Sequence, residues 1–167
     1  MAKKSQQLKT SNVSEEVDIN FEFGIVRVAN QGFYVNESIV IKDPFDIAYT
    51  LKISFNTEKE FIDFTVGAVY KNKEENHFMS SSALTQFFVK GLKRFVEPGS
   101  PSSITLPDGL MLMLFSISFT HARAIQAVNV ASTKFSSFVL PIINPAEVYN
   151  QIMVEMGFPR GDMKAFK

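Results

Sequence analysis

Alternation of apolar and polar positions begins near Asp18. In the stretch VDINFEFGIVRVA, Ile19, Phe21, Phe23 and Ile25 fall on one face, and acidic or amide side chains fall on the other. Because successive side chains of a strand point to opposite faces, this spacing predicts a strand with one covered face. We expect the strand to continue through NQG, whose Asn and Gly can absorb a bulge or turn, into FYVNESIVI.

Two further alternating segments follow, separated by the polar tetrad NTEK. The first, DPFDIAYTLKISF, has apolar residues at every second position and begins with Pro44, where a missing backbone donor does least harm. The second, EFIDFTVGAVY, alternates in the same way. The pair predicts a β-hairpin. Its apolar positions are Phe45, Ile47, Tyr49, Leu51, Ile53 and Phe55, then Ile62, Phe64, Val66, Ala68 and Tyr70.

The next segment, HFMSSSALTQFFVKGLKRFV, is ambiguous. Leu84, Phe88, Leu92 and Phe95 fit helical spacing, whereas the serines and the paired phenylalanines are typical of a strand. Periodicity alone does not decide between the two. The following VEPGSPSSITLPDG is rich in Pro, Gly and Ser, which predicts a loop with Asp108 as the cap of a helix.

The longest apolar segment extends from Leu110 to about Ser132. It contains His121 and Arg123, and a membrane would tolerate that arginine poorly, so the segment predicts a buried or interface helix. Pro145 suits the first turn of a last helix, PAEVYNQIMVEM. Strands followed by two helices predict an α+β domain, with the helices on one face of an antiparallel sheet.

Composition narrows the classes of function. The 167 residues suit one domain, and the 17 basic and 17 acidic side chains leave no net charge to attract nucleic acid or anionic lipid. The chain has no cysteine, and its polar N-terminus resembles neither a secretory signal nor a membrane anchor. We expect a cytoplasmic protein with a flexible arm at residues 1–17, a single domain at residues 18–156 and a tail at residues 157–167.

The sequence lacks the motifs of an enzyme. His77 and His121 are far apart and have no acid or thiol at metal-ligand spacing. No phosphate-binding glycine loop, nucleophile elbow or carboxylate pair is present. We therefore expect no catalysis, no metal and no cofactor. The basic KGLKRF stretch favours a solvated strand end over a nucleic-acid platform.

A resemblance to a known family lies in the C-terminal part. The stretch SFTHARAIQAVNVASTKFSSFVLPIINPAEVYNQIM resembles, without a gap, the C-terminal half of the SecB family of export chaperones. TQFFVKGL is similar to the family's fourth strand, which favours the strand interpretation of that segment. The resemblance spans residues 18–156. The matching positions of the C-terminal half are Phe119, Ala122, Arg123, Phe135, Leu140, Asn144, Val148 and Tyr149.

The resemblance implies a four-stranded antiparallel sheet followed by a long and a short helix, with four subunits assembled as a dimer of dimers. It also implies an ATP-independent holdase chaperone that keeps unfolded polypeptides from aggregating. Phe and Met supply the adaptable apolar groups that such a site requires. The client-binding residues would be Ile47, Tyr49, Leu51, Met79, Ala83, Phe135, Phe138 and Leu140, although core packing also explains most of them. Arg123 is expected to donate to backbone carbonyls or a carboxylate.

Some positions depart from the family. Its acidic position in the fourth strand, used to dock on the SecA motor, is Ser80 here, and its acidic tail is replaced by GFPRGDMKAFK. The crossover between the first two strands is expected to be shortened to about residues 42–44. These departures favour a chaperone attached to a toxin and antitoxin pair, while protein export with SecA as a partner stays open. A small-ligand-binding or scaffold protein with the same fold is the alternative.

Overall fold

The computed structural model describes residues 22–41, 44–74, 76–97 and 100–155. Four strands form one antiparallel sheet in the order β1-β4-β3-β2: β1 (Phe23–Val35), β2 (Phe45–Asn56), β3 (Phe61–Asn72) and β4 (His77–Val89). A long helix and a short helix follow, so the predicted α+β class is confirmed. The expected arm at residues 1–17 and tail at residues 157–167 lie outside the described residues.

β1 continues through the NQG stretch as predicted. Its pairing with β4 shifts register between Ile25 and Arg27 and again between Asn30 and Gly32, so the strand contains two irregularities. It ends at Val35, which places the following apolar residues outside the strand. The expected start at Asp18 lies outside the described residues.

The crossover between β1 and β2 spans residues 36–44, so the prediction of a connection shortened to residues 42–44 is wrong. The reason is topological. β1 and β2 lie at opposite edges of the sheet, and the chain must cross the ends of β4 and β3 to join them. The crossover begins with a hydrogen bond from the backbone N–H of Asn36 to the carbonyl of Phe78, at 2.7 Å, and Ile39 and Ile41 pack against the core.

The ambiguous segment forms β4, which pairs with β1 on one side and β3 on the other. A 3₁₀-helix (Leu92–Phe95) follows, entered through Gly91 in the left-handed conformation with φ of 75°. The predicted loop beyond it contains a small two-stranded sheet of β5 (Val96–Glu97) and β6 (Ser100–Ile104). The sequence lacks apolar alternation there, so periodicity did not predict these strands.

Helix α1 (Asp108–Val130) packs on β3 and β4. Pro107 occupies the N-cap, so the prediction of Asp108 as the cap is wrong; its carboxylate lies in the first turn, where the helix dipole favours negative charge. By length and composition α1 is also apolar enough to cross a membrane, as the core helix of a soluble protein can be. The buried face comprises Leu110, Met111, Leu114, Phe115, Ser118, Phe119, Ala122, Gln126 and Val130.

Helix α2 (Pro145–Glu155) begins at the predicted proline. The side-chain oxygen of Asn144 accepts a hydrogen bond from the backbone N–H of Ala146 at 3.1 Å, and its amide donates to the Glu147 carboxylate at 3.0 Å. The first bond satisfies a free backbone donor of the first turn, and the second holds the Asn144 side chain in place. Tyr149 and Ile152 turn inward, and α2 packs against α1 and β2.

Candidate functional site

Five aromatic rings meet at the end of the sheet where β2 begins. Phe45 and Phe138 have centroids 4.9 Å apart, and Phe78 lies 5.4 Å from Phe135. Tyr70 joins both Phe45, at 5.9 Å, and Phe78, at 6.0 Å. We call these five residues the aromatic cluster; tilted and edge-to-face pairs at such separations stabilise one another beyond area burial alone.

An open cavity of about 230 Å³ adjoins this cluster. Phe45, Tyr70 and Phe138 contribute its aromatic surface, and Ser137 and Val139 complete the lining. We call it the aromatic pocket. The Phe45 and Phe138 rings are half-buried at this opening, whereas Tyr70 is fully buried behind them.

From this pocket a row of apolar side chains follows β2. Alternate residues of this strand are half-buried on the face toward the helices, and the residues between them are exposed. β2 is an edge strand, and its ladder with β3 is regular from Phe45 opposite Asn72 to Asn56 opposite Phe61. We call the row the apolar strip; it consists of Phe45, Ile47, Tyr49, Leu51 and Ile53.

The chain between the two helices, residues 131–144, is the connection. Two side chains of α1 hold its backbone. The Gln126 amide donates to the carbonyl of Phe138 at 3.3 Å, and its oxygen accepts from the N–H of Leu140 at 2.7 Å. The Arg123 guanidinium donates through Nε to the carbonyl of Leu140 at 2.8 Å, which confirms the predicted role of Arg123 as a donor to backbone.

Gln126 is fully buried and also donates to the Tyr70 hydroxyl at 2.7 Å. Burial raises the pKa of Tyr70 to about 12; the hydrogen bond from Gln126 opposes this shift, and nearby Tyr49 adds to it. The phenol is therefore neutral at neutral pH. Sequence analysis overlooked Gln126.

Lys134 ties the connection to the crossover between β1 and β2. Its Nζ donates to the carbonyl oxygens of Glu37 and Ile39, the latter at 2.8 Å. The same ammonium lies 5.0 Å from the centroid of the Phe135 ring, within the range of a cation–π contact. One side chain thus holds the crossover beside the aromatic cluster.

The predicted client-binding residues divide into two groups. Ile47, Tyr49 and Leu51 are half-buried in the apolar strip, and Phe138 is half-buried at the aromatic pocket. The others are closed in the core, with at most 3% of their surface exposed, so they offer a client no accessible surface in this conformation. These are Met79, Ala83, Phe135 and Leu140.

Four further residues line the pocket and were not predicted as client-binding: Phe45, Tyr70, Ser137 and Val139. For Phe45 a signal was present, because it shares its strand face with Ile47 and Tyr49 and follows Pro44 directly. Ser137 and Val139 carry no such signal, since their position depends on how the connection turns back toward β2.

The two histidines lie in different surroundings. The His121 Nδ1 is 3.1 Å from the Thr85 hydroxyl beneath α1, whereas the His77 ring lies 5.0 Å from that of exposed Tyr34. Across the described ranges, no three His, Asp or Glu side chains are grouped closely enough to hold a metal ion.

Comparison with family models and with curated proteins finds no match. Among solved structures, the chain is similar to a SecB-like chaperone from Mycobacterium tuberculosis, in complex with a peptide from an antitoxin. The TM-score is 0.49 at 8% identity, over 73% of this chain and 90% of that chain. A protein of unknown function from Streptococcus agalactiae gives a TM-score of 0.32 at 8% identity, over 68% and 91%.

Proposed function

We propose that this protein is an ATP-independent holdase chaperone that binds unfolded polypeptides along the apolar strip and in the aromatic pocket. The observation that carries the proposal is the half-buried row of Phe45, Ile47, Tyr49, Leu51 and Ile53 on an edge strand, continuous with an open pocket. A row of this kind offers apolar contacts at the two-residue spacing of an extended chain.

The chemistry of the strip suits varied clients. Aromatic and aliphatic side chains bind apolar segments without demanding one sequence, and an edge strand has backbone groups that an extended polypeptide can pair with. The chain's lack of net charge suits binding by apolar contact in place of electrostatic attraction. Binding of this type uses no nucleotide, metal or cofactor.

The sequence resemblance to SecB chaperones supports the same class. Within it we propose a cytoplasmic, non-enzymatic homotetramer that acts in protein export or beside a toxin and antitoxin pair, without nucleic acid or membrane as partners. Ser80 is half-buried on the face of β4 away from α1, where the family has its acidic docking residue. This difference favours the toxin and antitoxin setting over docking on SecA.

Exposed apolar side chains support self-association. α1 leaves Met113 and Val128 exposed, Val128 by 75%, and β1 leaves Ile25 and Val28 exposed beside it. β1 is also an edge strand. A second copy of the chain packed on this side would cover both elements, as a dimer of dimers requires.

The alternative is a small-ligand-binding or scaffold protein. The aromatic pocket of about 230 Å³ is smaller than the roughly 300–1,000 Å³ of typical ligand sites. It also opens next to a strip that continues along a whole strand. Both features favour a long, extended ligand.

A chemically denatured model protein, diluted into buffer without nucleotide, tests the proposal. We expect this chain to suppress the rise in light scattering at a near-stoichiometric ratio. Scattering that stays unchanged over a wide range of ratios would eliminate the chaperone and favour the scaffold.

Neighbouring positions on β2 give a matched pair of variants. Ile47 belongs to the apolar strip, whereas Ala48 points to the opposite, exposed face. We expect Ile47→Ser to raise the chaperone concentration needed for half-suppression about fivefold, and Ala48→Ser to leave it unchanged. Thermal unfolding of both variants checks that the fold is kept. Equal effects would show that the strip does not bind clients.

A further inference from the structure

The connection lies against α1 in the manner of a bound peptide. Its residues from Phe138 onward belong to no described helix or strand. The carbonyl of Phe138 and the N–H of Leu140 both bond to the Gln126 amide. In an extended chain these two groups point to the same side, and one residue of a parallel neighbouring strand would bind the same pair. The Gln126 side chain therefore makes the two hydrogen bonds that the backbone of a neighbouring strand residue would make.

The bonding groups recognise backbone alone. The Gln126 amide supplies one donor and one acceptor, and the Arg123 guanidinium supplies a further donor to the carbonyl of Leu140. Backbone N–H and C=O groups are common to all polypeptides. Contacts of this kind are what a site needs if it is to hold segments of differing sequence.

The segment is anchored by few side chains. Phe138 packs on the Phe45 ring at the pocket, and Leu140 is buried, whereas Pro141 is exposed and Ile142 is 83% exposed. The open cavity beside Phe138 leaves that ring incompletely enclosed. Phe138 and Leu140 are thus the main anchors of the segment, and Val139 between them is half-buried against the core.

We propose that residues 137–140 are an internal occupant of the client site, and that a client displaces them to take over the hydrogen bonds of Gln126 and Arg123. The inference rests on the proposed holdase function and names its substrate class: extended segments with an aromatic residue and an aliphatic residue two positions apart. Displacement also regulates the site, because the apparent affinity for clients falls by the fraction of molecules in which the segment is bound.

In this arrangement Phe138 opposes client binding instead of contacting the client. If Phe138 contacted the client, removing its ring would weaken binding. If it holds the internal segment in place, removing the ring frees the pocket and tightens binding. Phe45, on β2, belongs to the site itself, so its loss weakens client binding in either case.

Fluorescence anisotropy of a labelled, permanently unfolded protein measures whether each variant binds the client more tightly or more weakly. We expect Phe138→Ala to tighten binding about threefold to tenfold relative to the unmodified chain, and Phe45→Ala to weaken it. Circular dichroism and thermal unfolding check that each variant folds. Unchanged or weaker binding by a folded Phe138→Ala variant would overturn the internal occupant.

A second measurement uses the unmodified protein and synthetic peptides of residues 134–144. We expect the peptide to compete with the unfolded client. N-methylation at Leu140 removes the donor to Gln126 and should weaken competition about tenfold. N-methylation at exposed Ile142 should not change it. A peptide that fails to compete, or equal competition by the two methylated peptides, would overturn the proposed hydrogen bonds.

The outcomes separate the two proposals. If the unmodified chain binds no unfolded client, the holdase function fails and the internal occupant fails with it. If the chain binds clients but the Phe138 variant and the peptides behave otherwise than expected, only the internal occupant fails.

Discussion

Gly67 lies at the centre of the sheet, on the face away from α1, where two neighbouring strands close over it. A Cβ built at this position would lie 2.7 Å from the Thr50 hydroxyl, 3.0 Å from the Ser81 carbonyl and 3.1 Å from the Ser82 Cβ. Because the carbonyl belongs to a central strand, it has little freedom to shift. Glycine is needed here for space.

Gly67→Ala should lower the free energy of unfolding by about 1–3 kcal/mol, as overpacking does. Gly24 provides the control, because a Cβ there meets no described atom within 4 Å, and Gly24→Ala should change stability little. Urea unfolding measures both. Adding Thr50→Ala to the Gly67 variant should recover part of the loss, and the absence of any recovery would contradict the proposed clash.

Single residues also show which parts of the candidate site could not be predicted from sequence. Phe135 and Leu140 were predicted as client contacts, yet both point inward from the connection and are buried in the core. Sequence identifies an apolar residue, but in a segment without regular structure it does not show whether the side chain faces the core or the solvent. Gln126 was predictable in part, because it falls on the same helical face as Phe119 and Ala122 and is a polar residue among apolar ones. Its partners were not, since they lie on the connection and on β3.

Among the elements, α2 depends on its N-terminal cap. Asn144→Ala removes the bond to Ala146 and the bond to Glu147, so it should lower the free energy of unfolding by about 1 kcal/mol. Amide hydrogen exchange in α2 should increase. Asn150→Ala, in the middle of the same helix, serves as the control and should not increase exchange, because alanine favours helix. Unchanged exchange in the Asn144 variant would show that tertiary contacts alone fix α2.

The elements differed in how far sequence defines them. β2, β3 and α2 were predictable, because alternation on one covered face and a proline at a helix start are local signals. β4 was ambiguous because it is central and carries apolar residues on both faces: Phe87 points to the core, and Leu84 and Phe88 point away from it. Strand order and the length of the crossover depend on long-range pairing, which periodicity does not encode.

For the whole molecule, assembly is the main expectation. We expect light scattering to give about four times the 18.8 kDa of one chain. Val128→Lys places a charge on the exposed side of α1 and should reduce the mass to that of dimers or single chains at micromolar concentration. A monomeric unmodified protein would contradict the proposed tetramer.

Val40→Lys is the matched control, because Val40 is 73% exposed and belongs to the crossover, outside both α1 and β1. It adds the same charge and should leave the mass unchanged. If both variants dissociate the protein equally, net charge and not the surface of α1 would control assembly.

The order of strands in the sheet also determines how long β1 must wait for its neighbour during synthesis. β1 precedes the other strands in the chain, but its neighbour is β4, with Val35 opposite Met79 and Phe23 opposite Val89. At translation rates of about 5–20 residues per second, β1 leaves the ribosome seconds before the strand that will pair with it. During that wait it is an apolar segment without a neighbour, and its unpaired backbone groups are open to pairing with other nascent chains until β4 emerges.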